Sequence, residues 1–422
     1  MSASKSPWAW VPTLYFAEGL PYVIVNILSV TLFKRLGMPN AQLALYTSLL
    51  YLPWVIKPLW SPLVDVLRTK RWWILAMQAL LGLALLLLSL SVPSRSYALM
   101  LTLFYLTAFA SATHDIAADG FYMLALDAHR QSLFVGIRST FYRIATVFGQ
   151  GVLVVIAGLL ETRLGDIPRA WEMTLLGCSV LLFAAFLWHR LSLPSPEKAK
   201  ASAASSSAAL RDIGRSVVTF FRKPGIWVAM LFLLLFRLPE ALSVKMLTPF
   251  LLDPVSAGGL GLSTADSGLV YGTVGVIALT LGGILGGMAA ARFGLKKCLW
   301  PMALSLALPC GVYLYMALCQ PASLWVVYFC VAADQLGYGF GFTAYMLYMI
   351  YFSDGEFKTS HYALCTAFMA LSMMLPGMAA GFLQEKLGYT GFFALVMLLC
   401  LATVAVTFMI KIDPEYGKKE NR

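Results

Sequence analysis

Stretches of about twenty apolar residues recur along this chain, and no other feature limits its fold as tightly. An α-helix rises about 1.5 Å per residue, so roughly 20 apolar residues cross the hydrocarbon of a bilayer. Twelve such runs can be read, near residues 8–33, 42–63, 72–92, 97–126, 132–159, 170–190, 225–252, 265–290, 298–319, 322–352, 360–383 and 390–411. Of the 422 residues, 60% are hydrophobic and only 12% charged, well outside the range of a water-soluble domain. In lipid each backbone N–H and C=O must be satisfied within the spanning segment, so the runs are predicted as helices. The fold class that follows is an all-α, multi-pass membrane protein. Glu18 interrupts the first run and no small-residue cleavage site follows a short apolar core, so the first helix is expected to stay in the mature chain.

A formal charge of +11 raises the question of nucleic acid. With an even number of spans and both termini inside, most of the basic residues fall in inner loops and tails, for example Arg68, Lys70, Arg71, Arg292, Lys296, Lys297 and Lys411. The excess base is therefore a positive-inside topology signal, and no nucleic-acid partner is expected. The seven cysteines sit in or at the edges of the apolar runs with no pair at metal-ligand spacing. They read as small buried hydrophobes, with neither a disulfide framework nor a metal site.

The stretch SPEKAKASAASSSAALRDIGR, 195–215, is polar and low in complexity, and it falls between the sixth and seventh runs. It reads as a linker. The expected organisation is an N-terminal six-helix half at 1–192, a cytoplasmic linker at 193–223 and a C-terminal six-helix half at 224–422. The following RSVVTFFRKPG suits a short amphipathic helix or a plain loop equally. Short basic loops after the second run (SPLVDVLRTKRWW) and the eighth (GGMAAARFGLKKCLW) occupy matching places in the two halves. Asp65 in the first has Ala291 opposite it in the second, so a charge latch built on Asp65 belongs to the first half only. This organisation resembles the major facilitator fold, in which inverted three-helix repeats surround a central site and the first helix of each triplet lines the cavity.

Well within the runs, away from their ends, lie Glu18, Lys57, Asp115, Asp119, Arg138, Arg143, Arg237, Glu240, Lys245 and Asp334. At roughly 2.5–3.5 kcal/mol for each charge at a helix centre, leaving them all in lipid costs roughly 25–35 kcal/mol, more than a fold's whole stability. They must be paired, hydrated or neutral. All five acids fall on runs one, four, seven and ten, the predicted cavity-lining helices, which points to a polar translocation path. Depth counting places Asp115 level with Arg143 and Asp119 level with Arg138 on the next helix. The first rung is assigned to the solute and the second to structure, and any single pair reads equally as latch or contact. FRLPEALSVK and EGLPY each set a proline beside a carboxylate, Glu240 or Glu18, as at a hinge.

His114 points about 100° round the helix from Asp115 and reads as a packing residue or a proton relay. Tyr15, Tyr22, Trp54, Tyr105, Tyr122, Tyr142, Tyr338 and Tyr345 are candidates for a site that takes a polar, partly anionic solute. Small residues four apart in LGGILGG (Gly282 with Gly286, Gly283 with Gly287) permit close helix approach. GYGFGF lies inside a run and reads the same way, not as a dinucleotide loop. No Walker A pattern occurs, so transport driven by a gradient is expected.

KPLWSPLVD (57–65), ATHDIAADGFYML (112–124), YRIATVFGQG (142–151), FRLPEAL with GLSTADSGLVYGTVGVIALTLGGILGG (236–287) and SHYALCTAFMAL (360–371) together resemble the AmpG-type muropeptide permeases and the related acetyl-coenzyme A transporters of the major facilitator superfamily. Asp115 and Asp119 match the acids of that family's fourth-helix signature, and His114 stands where its glutamine usually does. The resemblance implies a secondary active transporter that imports N-acetylglucosaminyl-anhydro-N-acetylmuramic acid, with or without its peptide, together with protons. The setting it implies is cell-wall recycling across a bacterial inner membrane. Another amino sugar, another anionic solute or an acyl-coenzyme A is the alternative cargo.

In that reading Asp115, Glu240 and Glu18 couple protons. Arg143, Arg237, Asp334, Lys245, Tyr15, Tyr122, Tyr142, Tyr338 and His114 contact the solute, while Asp119, Arg138 and Asp65 serve structural charge pairs. No cofactor is expected, and the carrier is expected to work as a monomer. A membrane-embedded acyl-transfer enzyme is the competing class, and it lacks a visible nucleophile held by a base and a third group.

Overall fold

The computed structural model describes residues 6–195, 214–355, 357–413 and 416, which are mostly helical with no strand among them. The helices in chain order are α1 (Pro7–Arg35), α2 (40–66), α3 (Lys70–Ser91), α4 (Tyr97–Ala125), α5 (128–164), α6 (Ile167–Ser192), α7 (Ile226–Leu252), α8 (Thr264–Phe293), α9 (Leu295–Cys319) and α10 (Leu324–Ser353). A last continuous run, Lys358–Met409, turns at Gly388 into α11 (358–387) and α12 (389–409). Gly388 has φ 66°, a left-handed conformation that glycine adopts without strain. Among the described residues nine helices are apolar and long enough to span a membrane, the 360–409 run counting as one of them. Divided at Gly388, and joined by the interrupted α2 and the glycine-rich α10, they complete the twelve spans read from the sequence.

Helix starts follow local sequence. Thr69, Ser96, Asp127, Asp166 and Ser263 each accept a hydrogen bond at their own helix N-terminus from a backbone N–H three residues on. Interruptions also follow it. Pro21 in α1 is followed by a π-turn over Ile24–Leu28, and further π-turns occupy Phe148–Val152 in α5 and Gly268–Gly275 in α8. In α7 the helix stops after Leu235 and restarts at Leu238 beside Pro239, so the expected hinge at FRLPE is a real break. α2 is divided between Asn40–Leu49 and Leu52–Val66.

The chain forms two compact units, one of residues 1–36 with 56–211 and the other of 37–55 with 212–422. In the first, Trp10, Leu14 and Tyr15 of α1 share a core with Ile74 of α3 and Ala117, Phe121 and Tyr122 of α4. Gly19 and Gly149 let α1 and α5 lie close, since a methyl on Gly149 would stand 2.7 Å from Val23. Arg35 at the end of α1 binds Glu161 on α5 at 2.9 Å, and Trp171 of α6 donates to the same carboxylate at 2.8 Å.

In the second unit, residues 37–55 are held by polar contacts. The Asn40 carboxamide donates to Gln384 at 2.7 Å and Tyr389 at 3.1 Å, and Tyr389 donates to Asp253 at 2.5 Å. Gly377 and Gly381 of α11 leave room for them, because a methyl on Gly381 would fall 1.9 Å from the Asn40 carbonyl. Phe232, Phe236, Met302, Tyr345 and Tyr348 build this unit's core. A short helix at 214–221 takes the first alternative read for RSVVTFF and buries Phe220 against Phe352 and His361. The rest of the expected linker, 196–213, and the Asp65 side chain lie outside the described residues. Six of the seven cysteines are buried.

The small-residue reading holds for Gly337, Gly339 and Gly341 of GYGFGF and for the Gly282 and Gly286 stripe of LGGILGG. Methyl groups on Gly282 and Gly339 would lie 2.1 Å from the Leu336 and Leu279 carbonyl oxygens, so α8 and α10 touch backbone to backbone. Gly287, on the other stripe, faces open space. We expect Gly339→Ala to destabilise the protein by about 1–3 kcal/mol through forced helix separation. Gly287→Ala should be neutral or slightly stabilising, because it only adds helix propensity. Thermal unfolding of the two purified variants in detergent checks the contrast, and equal midpoints would remove the packing argument.

Candidate functional site

Four helices of the first unit bring charges together. Glu18 projects from α1, Lys57 from the second part of α2, Asp115 and Asp119 from α4, and Arg138 from α5. The two aspartates are four residues apart, so α4 presents both on one face, one turn apart. Lys57 Nζ donates to Asp115 Oδ2. Arg138 Nη2 donates to Asp119 Oδ1 at 2.7 Å, and the Tyr15 hydroxyl donates to the same oxygen at 3.3 Å. The Arg138 guanidinium also lies over the rings of Tyr15 at 4.5 Å and Tyr122 at 5.1 Å. Glu18 is buried, and its Oε2 has no hydrogen-bond partner. The three carboxylates each bring an oxygen within 4.8 Å of the others'.

Of the two rungs expected from depth, one forms. Asp119 and Arg138 pair as expected, but Asp115 takes Lys57 in place of Arg143. Arg143 is exposed and forms no ion pair with a described residue. Counting residues along α4 and α5 measures height alone. Azimuth decides the partner, and it turns Arg143 away while α2 delivers Lys57 from the other side. Lys57 was legible as a charge inside an apolar run, and the sequence offered nothing that placed it against α4.

His114 faces away from the acids, as its 100° offset requires. Gln78 Nε2 lies 3.0 Å from His114 Nε2, Gln78 Oε1 lies 3.0 Å from His189 Nδ1, and His189 Nε2 lies 2.9 Å from Thr13 Oγ1. This buried string ties α1, α3, α4 and α6 together. A carboxamide at its centre holds its protons on nitrogen and does not pass them on, so the string supports the packing reading of His114 over the relay. Its Nδ1 is left without a partner.

The second unit holds three separate charged groups. At the break in α7, Arg237 Nε and Nη2 grip both oxygens of Glu240 at 2.7 and 3.0 Å. Glu240 also lies in the first turn of the restarted helix, where the exposed N–H groups favour a negative charge. The remaining Arg237 face meets Tyr338 Oη at 2.8 Å and the Phe342 ring at 4.6 Å. Asp334 accepts from Tyr313 at 2.5 Å and from Gln335 at 2.9 Å, with no base among its hydrogen-bond partners. Lys245 is buried, donates to Thr47 at 3.1 Å and stands over the Tyr51 ring at 5.5 Å, with no carboxylate partner among the described residues. Gln78, His189, Thr47, Tyr313 and Gln335 were not singled out in the sequence. They are uncharged or look like ordinary helix residues, and they give no signal until their neighbours are known.

Buried side by side, Arg237 and Glu240 are each 7% exposed or less. Arg237→Met should leave a carboxylate uncompensated and lower stability by about 3–5 kcal/mol. Replacing both by Met should recover most of that loss, as read by chemical unfolding of the three variants. A double variant as unstable as the single one would show that the pair is not the source of the effect.

Comparisons with known proteins agree with this architecture. Residues 13–356 match the family described as Major Facilitator Superfamily. The Anhydromuropeptide permease of Escherichia coli (strain K12) is 25% identical over 417 residues, covering 93% of this chain and 79% of that protein. An uncharacterized protein of Haemophilus influenzae is 25% identical over 410 residues, covering 94% and 92% of the two chains. Among solved structures, a D-xylose-proton symporter superposes with a TM-score of 0.70 at 14% identity, covering 97% of this chain and 98% of that one. The nucleoside transporter NupG superposes with a TM-score of 0.64, also at 14% identity, covering 94% and 96%. With the spans described above, these likenesses mark the chain as a multi-pass membrane transporter similar to the AmpG-type permeases, and not an enzyme.

Proposed function

We propose, from the premise that the chain belongs to the Major Facilitator Superfamily, that it imports an anhydromuropeptide in symport with protons. The cargo is N-acetylglucosaminyl-anhydro-N-acetylmuramic acid with or without its peptide, and the role is cell-wall recycling across a bacterial inner membrane. The likeness to an Anhydromuropeptide permease over nearly the whole chain supports the solute class. One observation carries the coupling. In a cluster where Lys57 engages Asp115 and Arg138 engages Asp119, the buried Glu18 is left without a base among the described residues. An uncompensated carboxylate in such a place is unfavourable until it takes up a cation, and a proton is the simplest one.

In this mechanism a proton from outside neutralises the Glu18 and Asp115 pair, the loaded carrier reorients, and the proton leaves inward. Arg143, exposed and with no acid partner among the described residues, holds the solute carboxylate by a charge-assisted bond, and Tyr142 offers a hydroxyl and a ring face to the sugars, while Tyr122, expected in the same role, is buried in the core with its hydroxyl on the Gln131 carbonyl. Lys245, a second cation with no carboxylate partner among the described residues, suits the anionic part of that cargo, and Asp334 suits its hydroxyl and amide N–H donors. Another anionic amino sugar or an acyl-coenzyme A would satisfy the same groups. Glu240, gripped by Arg237, belongs to the hinge of α7 in this scheme. The even number of spans and the basic loops support cytoplasmic termini. The carrier is proposed to act as a monomer whose halves, 1–192 and 224–422, are joined by the linker at 193–223.

Purified protein in proteoliposomes under an imposed proton gradient, acid outside, should take up labelled anhydromuropeptide saturably, and a protonophore should abolish the uptake. Glu18→Gln should reduce gradient-driven uptake to that of empty liposomes while retaining exchange of internal for external solute, since the solute contacts are untouched. Uptake that is indifferent to the gradient would refute proton coupling. Saturable uptake of the free amino sugar or of acetyl-coenzyme A, with none of the muropeptide, would refute the cargo.

A further inference from the structure

The acidic cluster of the first unit is built for more than a proton. Bases occupy only part of it. Lys57 engages Oδ2 of Asp115, while Arg138 and Tyr15 share Oδ1 of Asp119. Asp115 Oδ1 and Asp119 Oδ2 thus receive no nitrogen donor from the described residues, and Glu18 Oε2 is sealed from solvent with no partner at all. One oxygen from each of the three carboxylates lies within 4.8 Å of the others'. A proton needs only two oxygens to bridge. Three carboxylates converging over this span match the shell of a hard cation, whose oxygen ligands stand about 2.3–2.6 Å from it and therefore at most about 5 Å from one another.

Charge selects the ion. Three carboxylates against Lys57 and Arg138 leave one negative charge in excess, so a monovalent cation brings the cluster to neutrality. A divalent ion would leave it positive in a setting of low dielectric, where an uncompensated charge is costly. The other groups facing the cluster do not change that count. Tyr15, Tyr122 and Tyr142 contribute phenols, and His114 on α4 is turned toward Gln78. Phenol oxygens are further neutral ligands of the kind such cations accept.

We infer that Glu18, Asp115 and Asp119 form a binding site for Na⁺, which competes there with the proton. Its part in coupling rests on the transport reading above, whereas ion binding itself requires no solute. The site gives α1 and α4 a shared ligand, so occupancy by either cation draws the acids together, and release lets them repel.

The test is direct binding of ²²Na⁺ to the purified protein in detergent, measured by scintillation proximity at neutral pH with no solute present. Saturable binding is expected, displaced by unlabelled Na⁺ and Li⁺ and by acidification. Glu18→Gln should weaken it by roughly tenfold or more, as loss of a ligand does. Lys57→Met should strengthen it, because the competing ammonium is gone and Asp115 frees its second oxygen. Should Glu18→Gln elute as an aggregate in size exclusion, Asp119→Asn takes its place with the same expected loss. Wild-type protein without saturable ²²Na⁺ binding, or binding unchanged by removal of either acid, would overturn the inference. Proton-driven muropeptide uptake alongside absent ²²Na⁺ binding would leave the transport reading standing and remove the sodium site. Binding that persists where no muropeptide is transported would do the reverse.

Discussion

Charge kept out of hydrocarbon by other charge is the constraint on which this molecule depends. Roughly 2.5–3.5 kcal/mol for each ion at mid-membrane is tolerable once or twice, and this chain carries ten acidic and basic residues well inside its spans. The structure resolves the cost locally. Arg138 closes on Asp119, Lys57 on Asp115 and Arg237 on Glu240, and aromatic faces cover what the carboxylates leave of the guanidinium groups. Each pair joins different helices or spans a helix break, so each also fixes the geometry of the elements that carry it.

The two units answer that constraint differently. In the second, Arg237 and Glu240 match both oxygens to two donors and are almost wholly buried, which makes a rigid splice across the interruption of α7. In the first, three acids meet two bases, each base takes a single aspartate oxygen, and the cluster remains partly open. A fully satisfied pair holds a helix in shape. An incompletely satisfied cluster has a chemical demand that a mobile cation can meet, and the coupling role proposed for the first unit rests on this asymmetry.

Polar side chains without charge do comparable structural work. The Gln78 carboxamide bridges two buried imidazoles, and the Asn40 carboxamide fixes residues 37–55 to α11 and α12 by bonding Gln384 and Tyr389. Glycine supplies the close approach these contacts require, at Gly377 and Gly381 in one place and at Gly282 and Gly339 in another. None of these residues is unusual in a membrane helix by composition. Their importance arises from being opposed to one another.

What the sequence determined by itself was everything that depends on order along the chain. Apolar length set the number of spans, proline and glycine set the breaks at Pro21, Pro239 and Gly388, and the spacing of Asp115 and Asp119 put both on one face of α4 with His114 turned aside. The cost of burying charge also required that most of the intramembrane ions find partners. Which partner each one found was decided only by tertiary structure. Height along a helix is additive in residue number, so Arg138 could be matched to Asp119 from the sequence. Rotation about the axis and the choice of neighbouring helix are set by packing, so Lys57, and not Arg143, reached Asp115, and Glu18 was left without a base among the described residues. The same packing moved residues 37–55 into the second unit. Helix formation is local and was legible in one dimension, whereas a site is a coincidence of several helices and exists only once they are packed.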